Sequence, residues 1–289
     1  MSDPLVYRNF TQAQLNDAYN QATLVPDISD HQARQADETA KAREILPCRL
    51  GVPYGPKDAE YIDVYGEADG SRPAMIYTHG GAWRAGTADG AGSGAPAFVA
   101  KGCVYVVVNF SLAPDISLDE MVRQCRAATA YVYENAGELG IDPDRIFVSG
   151  HSSGGHLSAM VAGADWTGEF GLPSNLIKGL TSISGLYDLE PVRHSSRNEY
   201  LFLDEAAADR LSPMSVLDRM PPAVVTGWGG KELDEFQRQS TEFTAVLKAS
   251  GRTVADNFFA GDNHFQMANR LHETGSPIFT ATCEMMGLV

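Results

Sequence analysis

The chain has 289 residues, 44% of them hydrophobic and 20% charged. That is enough apolar material for a sizeable core, and it excludes disorder along the whole length. With 22 Lys+Arg against 37 Asp+Glu the formal charge is −15, which repels polyanions, so no nucleic-acid partner is expected. No stretch of about 18 or more apolar residues occurs, and no basic segment precedes an apolar one at the N-terminus. Neither a membrane partner nor a signal peptide is therefore expected. Cys48, Cys103, Cys125 and Cys283 are scattered, without metal-ligand or disulfide-framework spacing, which suits a reducing cytoplasm.

Residues 1–53 are polar and lean towards helix. Thr11 to Ala22 and His31 to Leu46 carry good helix formers, with Pro26 and Asp27 breaking between them. This segment is expected to form a small N-terminal helical cover. From Tyr61 onward the texture changes to short β-branched runs. Tyr61–Tyr65, Ala74–Thr78, Val104–Val108, Ile146–Ser149, Leu180–Ser184 and Ala223–Thr226 read as strands, with Val254–Phe259 as a weaker seventh. Several are continuous apolar runs, the pattern of strands covered on both faces.

Helical stripes fill the gaps. Leu118, Val122, Cys125, Ala128 and Val132 form one; Phe236, Ser240, Phe243 and Leu247 form another, with Gly251 as its stop. The alternation predicts a single α/β domain over residues 1–289, a mostly parallel central sheet flanked by helices, with a cap insert at 186–211. In such a sheet, binding chemistry collects just past the carboxyl ends of the strands.

Gly150-His-Ser-Ser-Gly154 follows the strand Ile146–Ser149 and leads into a helical pattern, which is G-x-S-x-G in its strand–turn–helix setting. Gly150 and Gly154 let strand and helix approach, so that Ser152 is presented at the tip as a nucleophile. The backbone N–H of Ser153 then serves as an oxyanion donor. His79-Gly-Gly-Ala-Trp83 follows an earlier strand, and its paired glycines Gly80 and Gly81 can aim backbone N–H groups into a concavity. His79 reads as a brace for this loop. Trp83 could wall a pocket or cover the core.

A serine hydroxyl needs a base and an orienting carboxylate. Of seven histidines, His264 follows the last strand, where the base falls when the chain order is serine, acid, histidine. His151 and His156 flank the nucleophile and are expected to point elsewhere as packing groups. For the acid, Glu232 and Asp234 compete; Asp234 resembles a first-turn helix residue, so Glu232 is favoured. Neither metal nor cofactor is expected. Gly86–Gly94 lacks the dinucleotide-binding order and reads as a loop beside the site.

The elements His79–Trp83, Ser111-Leu-Ala-Pro114, Asp142-Pro-Asp-Arg145 and Gly150–Gly155 resemble the hormone-sensitive-lipase-like branch of the α/β-hydrolase superfamily. More narrowly, Leu15–Asn20, His79–Arg84 and Glu232–Ser240 are similar to kynurenine formamidases (arylformamidases) and their esterase relatives. The resemblance implies an α/β-hydrolase fold with Ser152 as nucleophile, His264 as base, Glu232 as acid, and Gly80, Gly81 and Ser153 around the oxyanion. The chain departs from that pattern at Ser111, at Ser153 in place of a common alanine, and in using glutamate as the acid. The implied substrate is a small amide or short-chain ester. A homodimer is compatible with the sequence. Trp83, Arg84, Tyr187 and Trp228 are candidate substrate contacts, with Arg193 and Arg197 as further partners for a substrate carboxylate. An acyltransferase using the same site, or a ligand receptor on the same fold, remains an alternative.

Overall fold

The continuous apolar runs become the middle of one sheet. In the computed structural model, which describes residues 3–67 and 70–288, the strands in chain order are β1 (Leu5–Tyr7), β2 (Phe10–Thr11), β3 (Cys48–Pro53), β4 (Tyr61–Tyr65), β5 (Arg72–Thr78), β6 (Val104–Val108), β7 (Ile141–His151), β8 (Ile177–Ile183), β9 (Ala223–Gly229) and β10 (Thr253–Phe259). β1 and β2 form a separate small hairpin, and the other eight make a sheet of order β10-β9-β8-β7-β5-β6-β4-β3. From β6 through to β10 the pairs are parallel, whereas β4 pairs antiparallel with both β6 and β3. All five side chains of β6 are buried, as the unbroken Val104-Tyr-Val-Val-Val108 run requires of a strand with helices on both faces.

The helical stripes pack on this sheet. The helix Leu118–Glu134 opens on Ser117, whose side chain accepts the Glu120 N–H, and it buries Leu118, Val122, Cys125, Ala128 and Val132. The helix Asp234–Ala249 buries Phe236, Ser240, Phe243 and Leu247. Gly251 follows its end at φ +83°, a left-handed conformation that glycine adopts without a Cβ clash.

The N-terminal segment departs from a purely helical cover. The helix Gln12–Ala18 stops four residues short of the expected Ala22, after which Gln21–Thr23 form a 3-10 turn; the second helix spans Ser29–Ile45. Cys48–Pro53 belongs to the main sheet as its outer antiparallel strand, paired with β4. Its largely exposed residues and Gly51 carry little apolar alternation, so the pairing partner defines the strand. Residues 186–211 carry three short helices, Glu190–His194, Asn198–Leu201 and Glu205–Arg210.

Parallel register aligns the strand ends. Thr78 pairs with Gly150, Gly150 with Ser182, Ser182 with Thr226, and Thr226 with Asp256, giving one row across five strands. Among the described residues no helix is long and apolar enough to cross a membrane.

The Phe243 ring is fully buried and stacks on Tyr187 at 3.9 Å between centroids. Phe243→Ala should cost about 3–5 kcal/mol through lost burial and an unfilled cavity. Chemical denaturation measures this; a loss below about 1 kcal/mol would mean that the helix Asp234–Ala249 does not depend on that contact.

Candidate active site

Just past the aligned row, the chain turns sharply after Gly150 and His151. Ser152 sits at φ 59°, ψ −127°, and the helix Ser153–Ala162 begins on the next residue. A positive φ on a residue with a Cβ costs on the order of 1–3 kcal/mol and persists only where its surroundings impose it. Here they do. A methyl at Gly150 would collide with the Gly154 carbonyl, and one at Gly154 with the Thr78 carbonyl. The Ser152 N–H donates to the Ile183 carbonyl at 2.9 Å, and the Thr78 hydroxyl donates to the Gly154 carbonyl at 2.8 Å. The tip of β7 is thus clamped from β5 on one side and β8 on the other.

Three buried side chains meet at this tip. Ser152 Oγ lies 2.8 Å from His264 Nε2, and His264 Nδ1 lies 2.6 Å from Glu232 Oε1. The carboxylate can only accept, so Nδ1 carries the hydrogen and Nε2 is left to accept the serine proton. Glu232 Oε2 accepts from the Ser184 hydroxyl and the Gly229 N–H, both at 3.0 Å. Of the two carboxylates weighed from the sequence, Glu232 therefore holds the imidazole. Asp234 is exposed as the first residue of the helix Asp234–Ala249, where its charge faces the positive end of the helix dipole. His264 opens the helix His264–Arg270, whose start is fixed by reciprocal capping between Asn263 and Gln266.

The glycine loop lies against the serine. A methyl at Gly80 would meet the His151 carbonyl and the Ser152 Cβ, while Gly81 holds φ +122°. The N–H groups of Gly80 and Gly81 are given to no backbone carbonyl among the described residues. Ser153 is the first residue of its helix, so its N–H is one of the donors a helix leaves unpaired. Its hydroxyl accepts the Trp83 N–H at 3.2 Å, tying the loop to the helix. His79 stacks on Phe110 at 4.3 Å and donates from Nδ1 to the Gly80 carbonyl at 2.9 Å. Burial, only partly opposed by that bond, lowers its pKa to about 4.

The expected substrate contacts divide. Arg84 lines a cavity of about 930 Å³ together with Ser152, His264, Gly80 and Gly81. Trp83, Tyr187 and Trp228 do not. Trp83 is buried, its indole N–H donating to His156 Nδ1 at 3.1 Å, and His156 in turn donates to the Leu211 carbonyl. Tyr187 is buried on Phe243, its hydroxyl bonded to Ser182 and to the Gly185 N–H. Trp228 is still within β9, directly opposite Phe258 of β10, and packs on that ring instead of on a loop over the site. Arg193 is taken up by Glu190, whereas Arg197 lines the cavity.

His151 was expected to point away. It lines the cavity, and its ring lies 4.6 Å from that of His264. Burial, reinforced by the charge of His264, pushes its pKa well below 6.5. Its position before the serine could have suggested proximity, but not its orientation. The cavity also takes Asn16, Tyr19 and Gln21 from the N-terminal segment and Ser196 and Tyr200 from residues 186–211; sequence pattern carries no signal for such distant convergence. His151, Glu232 and His264 bring ligand-type atoms within 4.8 Å of one another. A metal there would have to displace the serine or the glutamate from the imidazole, since both nitrogens of His264 are already engaged.

Comparison with known proteins gives consistent relatives. The family model described as BD-FAE matches residues 62–247. A kynurenine formamidase of Danio rerio is 31% identical over 267 residues, 90% of this chain and 89% of that protein. One of Salmo salar is 30% identical over 268 residues, again 90% and 89%. A crystal structure from Silicibacter sp. TM1040 has a TM-score of 0.80 at 26% identity, covering 93% of this chain and 99% of that one. The thermostable carboxylesterase EstE1 has a TM-score of 0.73 at 22% identity, covering 94% and 98%.

The neutral histidines make a pH prediction. His79 and His156 are held at about 4 by burial, and His151 well below 6.5. All three are protonated more readily in the unfolded chain, so their contribution is complete above about pH 6.5 and is lost as pH falls towards 4 and below. Each adds a slope of up to about 1.4 kcal/mol per pH unit. Denaturation midpoints should fall steadily from pH 7 to pH 5; a flat profile there would contradict burial of these imidazoles in neutral form.

Proposed function

Because the chain belongs to the BD-FAE family of α/β-hydrolases and is an ester or amide hydrolase, we propose that it cleaves a small formamide-like amide or short-chain ester through an acyl-enzyme on Ser152. The observation that carries this reading is the unbroken hydrogen-bond chain from Glu232 through His264 to Ser152. As Ser152 Oγ attacks the carbonyl carbon, His264 Nε2 takes its proton. Glu232 keeps the Nδ1 hydrogen and stabilises the imidazolium that forms. The tetrahedral oxyanion is held by the N–H groups of Gly80, Gly81 and Ser153, each such donor contributing about 3–4 kcal/mol to the barrier reduction. The carbonyl–nitrogen or carbonyl–oxygen bond then breaks while His264 returns its proton to the leaving group. Water, deprotonated by the same imidazole, releases the acid from Ser152.

Two features support a small acyl group with a larger leaving group. The glycine loop packs directly on Ser152, which leaves little depth on that side. The cavity of about 930 Å³ opens instead towards Arg84, Tyr200 and the N-terminal segment. In this reading residues 3–45 and 186–211 cover the strand ends and shape the leaving-group side. Two relatives of similar length carry the name kynurenine formamidase, which makes N-formylkynurenine the first amide to assay.

Ser152→Ala should fold normally and lose turnover by about 10⁴-fold or more; near-full activity at saturating substrate would sink the assignment. Specificity constants for N-formylkynurenine, p-nitrophenyl acetate and unactivated acetanilides should rank the formamide and the small ester far above the acetanilides. Equal rates for long-chain esters would contradict a small acyl site.

A further inference from the structure

Ten arginines elsewhere in the chain each pair with a carboxylate, while Arg49, Arg145 and Arg252 donate to backbone carbonyls away from the cavity. With 37 acidic against 22 basic residues, carboxylate partners are plentiful. The two arginines that line the cavity beside Ser152, Arg84 and Arg197, take part in no ion pair among the described residues. Asp17 and Glu199 line the same cavity without pairing with either.

Arg197 is the sharper anomaly. It is 9% exposed. Its Nε and Nη2 donate to a single acceptor, the Tyr19 carbonyl, at 3.2 and 2.7 Å, and Nη1 has no partner. The guanidinium carbon lies 5.7–5.8 Å from the ring centres of Tyr19, Trp83 and Phe236. Ring faces and one carbonyl dipole return part of what a cation loses on leaving water, but they do not supply a counter-charge. Desolvation accordingly lowers its pKa from the ordinary arginine value, with the charge of Arg84 acting in the same sense. Arg84 itself is exposed and lies over the Tyr200 ring, 4.8 Å from its centre. Tyr200 feels the charges of both arginines, and all three residues line the reaction cavity.

A buried cation with an unused donor, in an otherwise acidic protein, is completed by an anion from outside. We propose that Arg197 and Arg84 form an anion-recognition subsite, so that the preferred substrate carries a carboxylate or comparable negative group apart from its scissile carbonyl. This rests on Ser152 being the reacting residue. Arg197 supplies the desolvated charge and Arg84 an open fork of donors, the geometry that carboxylates accept. Neither guanidinium touches the reacting bond; they decide which molecule is held there.

Matched pairs test the subsite. With the charge on the leaving group, 4-acetoxybenzoate is compared with 4-acetoxybenzamide; with the charge on the acyl part, monophenyl glutarate with its terminal carboxamide. The native enzyme should favour the anion in at least one pair by about tenfold or more in kcat/KM. Arg84→Gln and Arg197→Met should each lower that anion-to-amide ratio by about tenfold, and Arg197→Lys less. A purely structural role would lower both members of a pair together and leave the ratio unchanged, which overturns the proposal. Should Arg197→Met fail to fold, exposed Arg84 decides by the same ratio. If the native enzyme cleaves neither pair nor p-nitrophenyl acetate, the hydrolase reading fails first; if it cleaves p-nitrophenyl acetate but neither pair, only the subsite is in question. Calorimetric binding of 4-acetoxybenzoate then decides the subsite: binding lost in Arg84→Gln supports it, and no binding to the native chain overturns it.

Discussion

A single imidazole, that of His264, uses both of its nitrogens, and the rest of the fold can be understood as the means of keeping it so. One nitrogen faces Glu232 at 2.6 Å and the other Ser152 at 2.8 Å. These three residues come from the ends of three different strands, so the arrangement exists only while the sheet register holds. The row Thr78, Gly150, Ser182 and Thr226 fixes that register, and each functional group lies a few residues beyond it. Glu232 is further restrained because its second oxygen is bonded to Ser184 and Gly229. A carboxylate held at both oxygens cannot rotate away, so the imidazole keeps one tautomer and one orientation.

Around this chain of bonds three buried histidines act as neutral structure. His79 braces the glycine loop through its Gly80 bond and its stack on Phe110. His156 links the Trp83 indole to the Leu211 carbonyl, joining the loop to the end of the 186–211 segment. His151 stands beside His264. Were it charged, it would oppose the imidazolium that the reaction forms; burial keeps it neutral. Low polarity around the site thus favours a single proton acceptor among several candidate rings.

Much of this could be read from the sequence, for physical reasons that also mark where reading stops. Continuous apolar runs such as Val104–Val108 identified the central strands because complete burial leaves no polar alternation. Ser152 stood out because two glycines at fixed offsets are what a strained turn between strand and helix demands, and Glu232 because it precedes the helix that Asp234 begins. Cys48–Pro53 was hidden, since an outer antiparallel strand with exposed side chains depends on its partner and has little pattern of its own. Trp83 and Tyr187 were misplaced because position near a strand end does not fix which way a large ring turns, and each found burial and a hydrogen bond in the core. Trp228 was misplaced because its strand runs on to Gly229, which leaves it half-buried against Phe258. The seat of His151 and the convergence of Tyr19 with Arg197 depend on backbone direction and long-range packing, which residue types alone do not encode.

The N-terminal segment and residues 186–211 meet over the strand ends, where the Tyr19 carbonyl accepts from Nε and Nη2 of Arg197. In the proposed reading the reaction chemistry sits at the strand ends, while selectivity draws on Arg197 of residues 186–211 and on Arg84 of the glycine loop. The central claim is that one serine, activated by this imidazole, forms the covalent intermediate. Treating the native chain with a fluorophosphonate and mapping the adduct by peptide mass spectrometry tests it most directly. One adduct per chain on Ser152, formed in step with loss of activity, is the expected result. A label on another residue that tracks inactivation, or full turnover persisting with Ser152 modified, would contradict it.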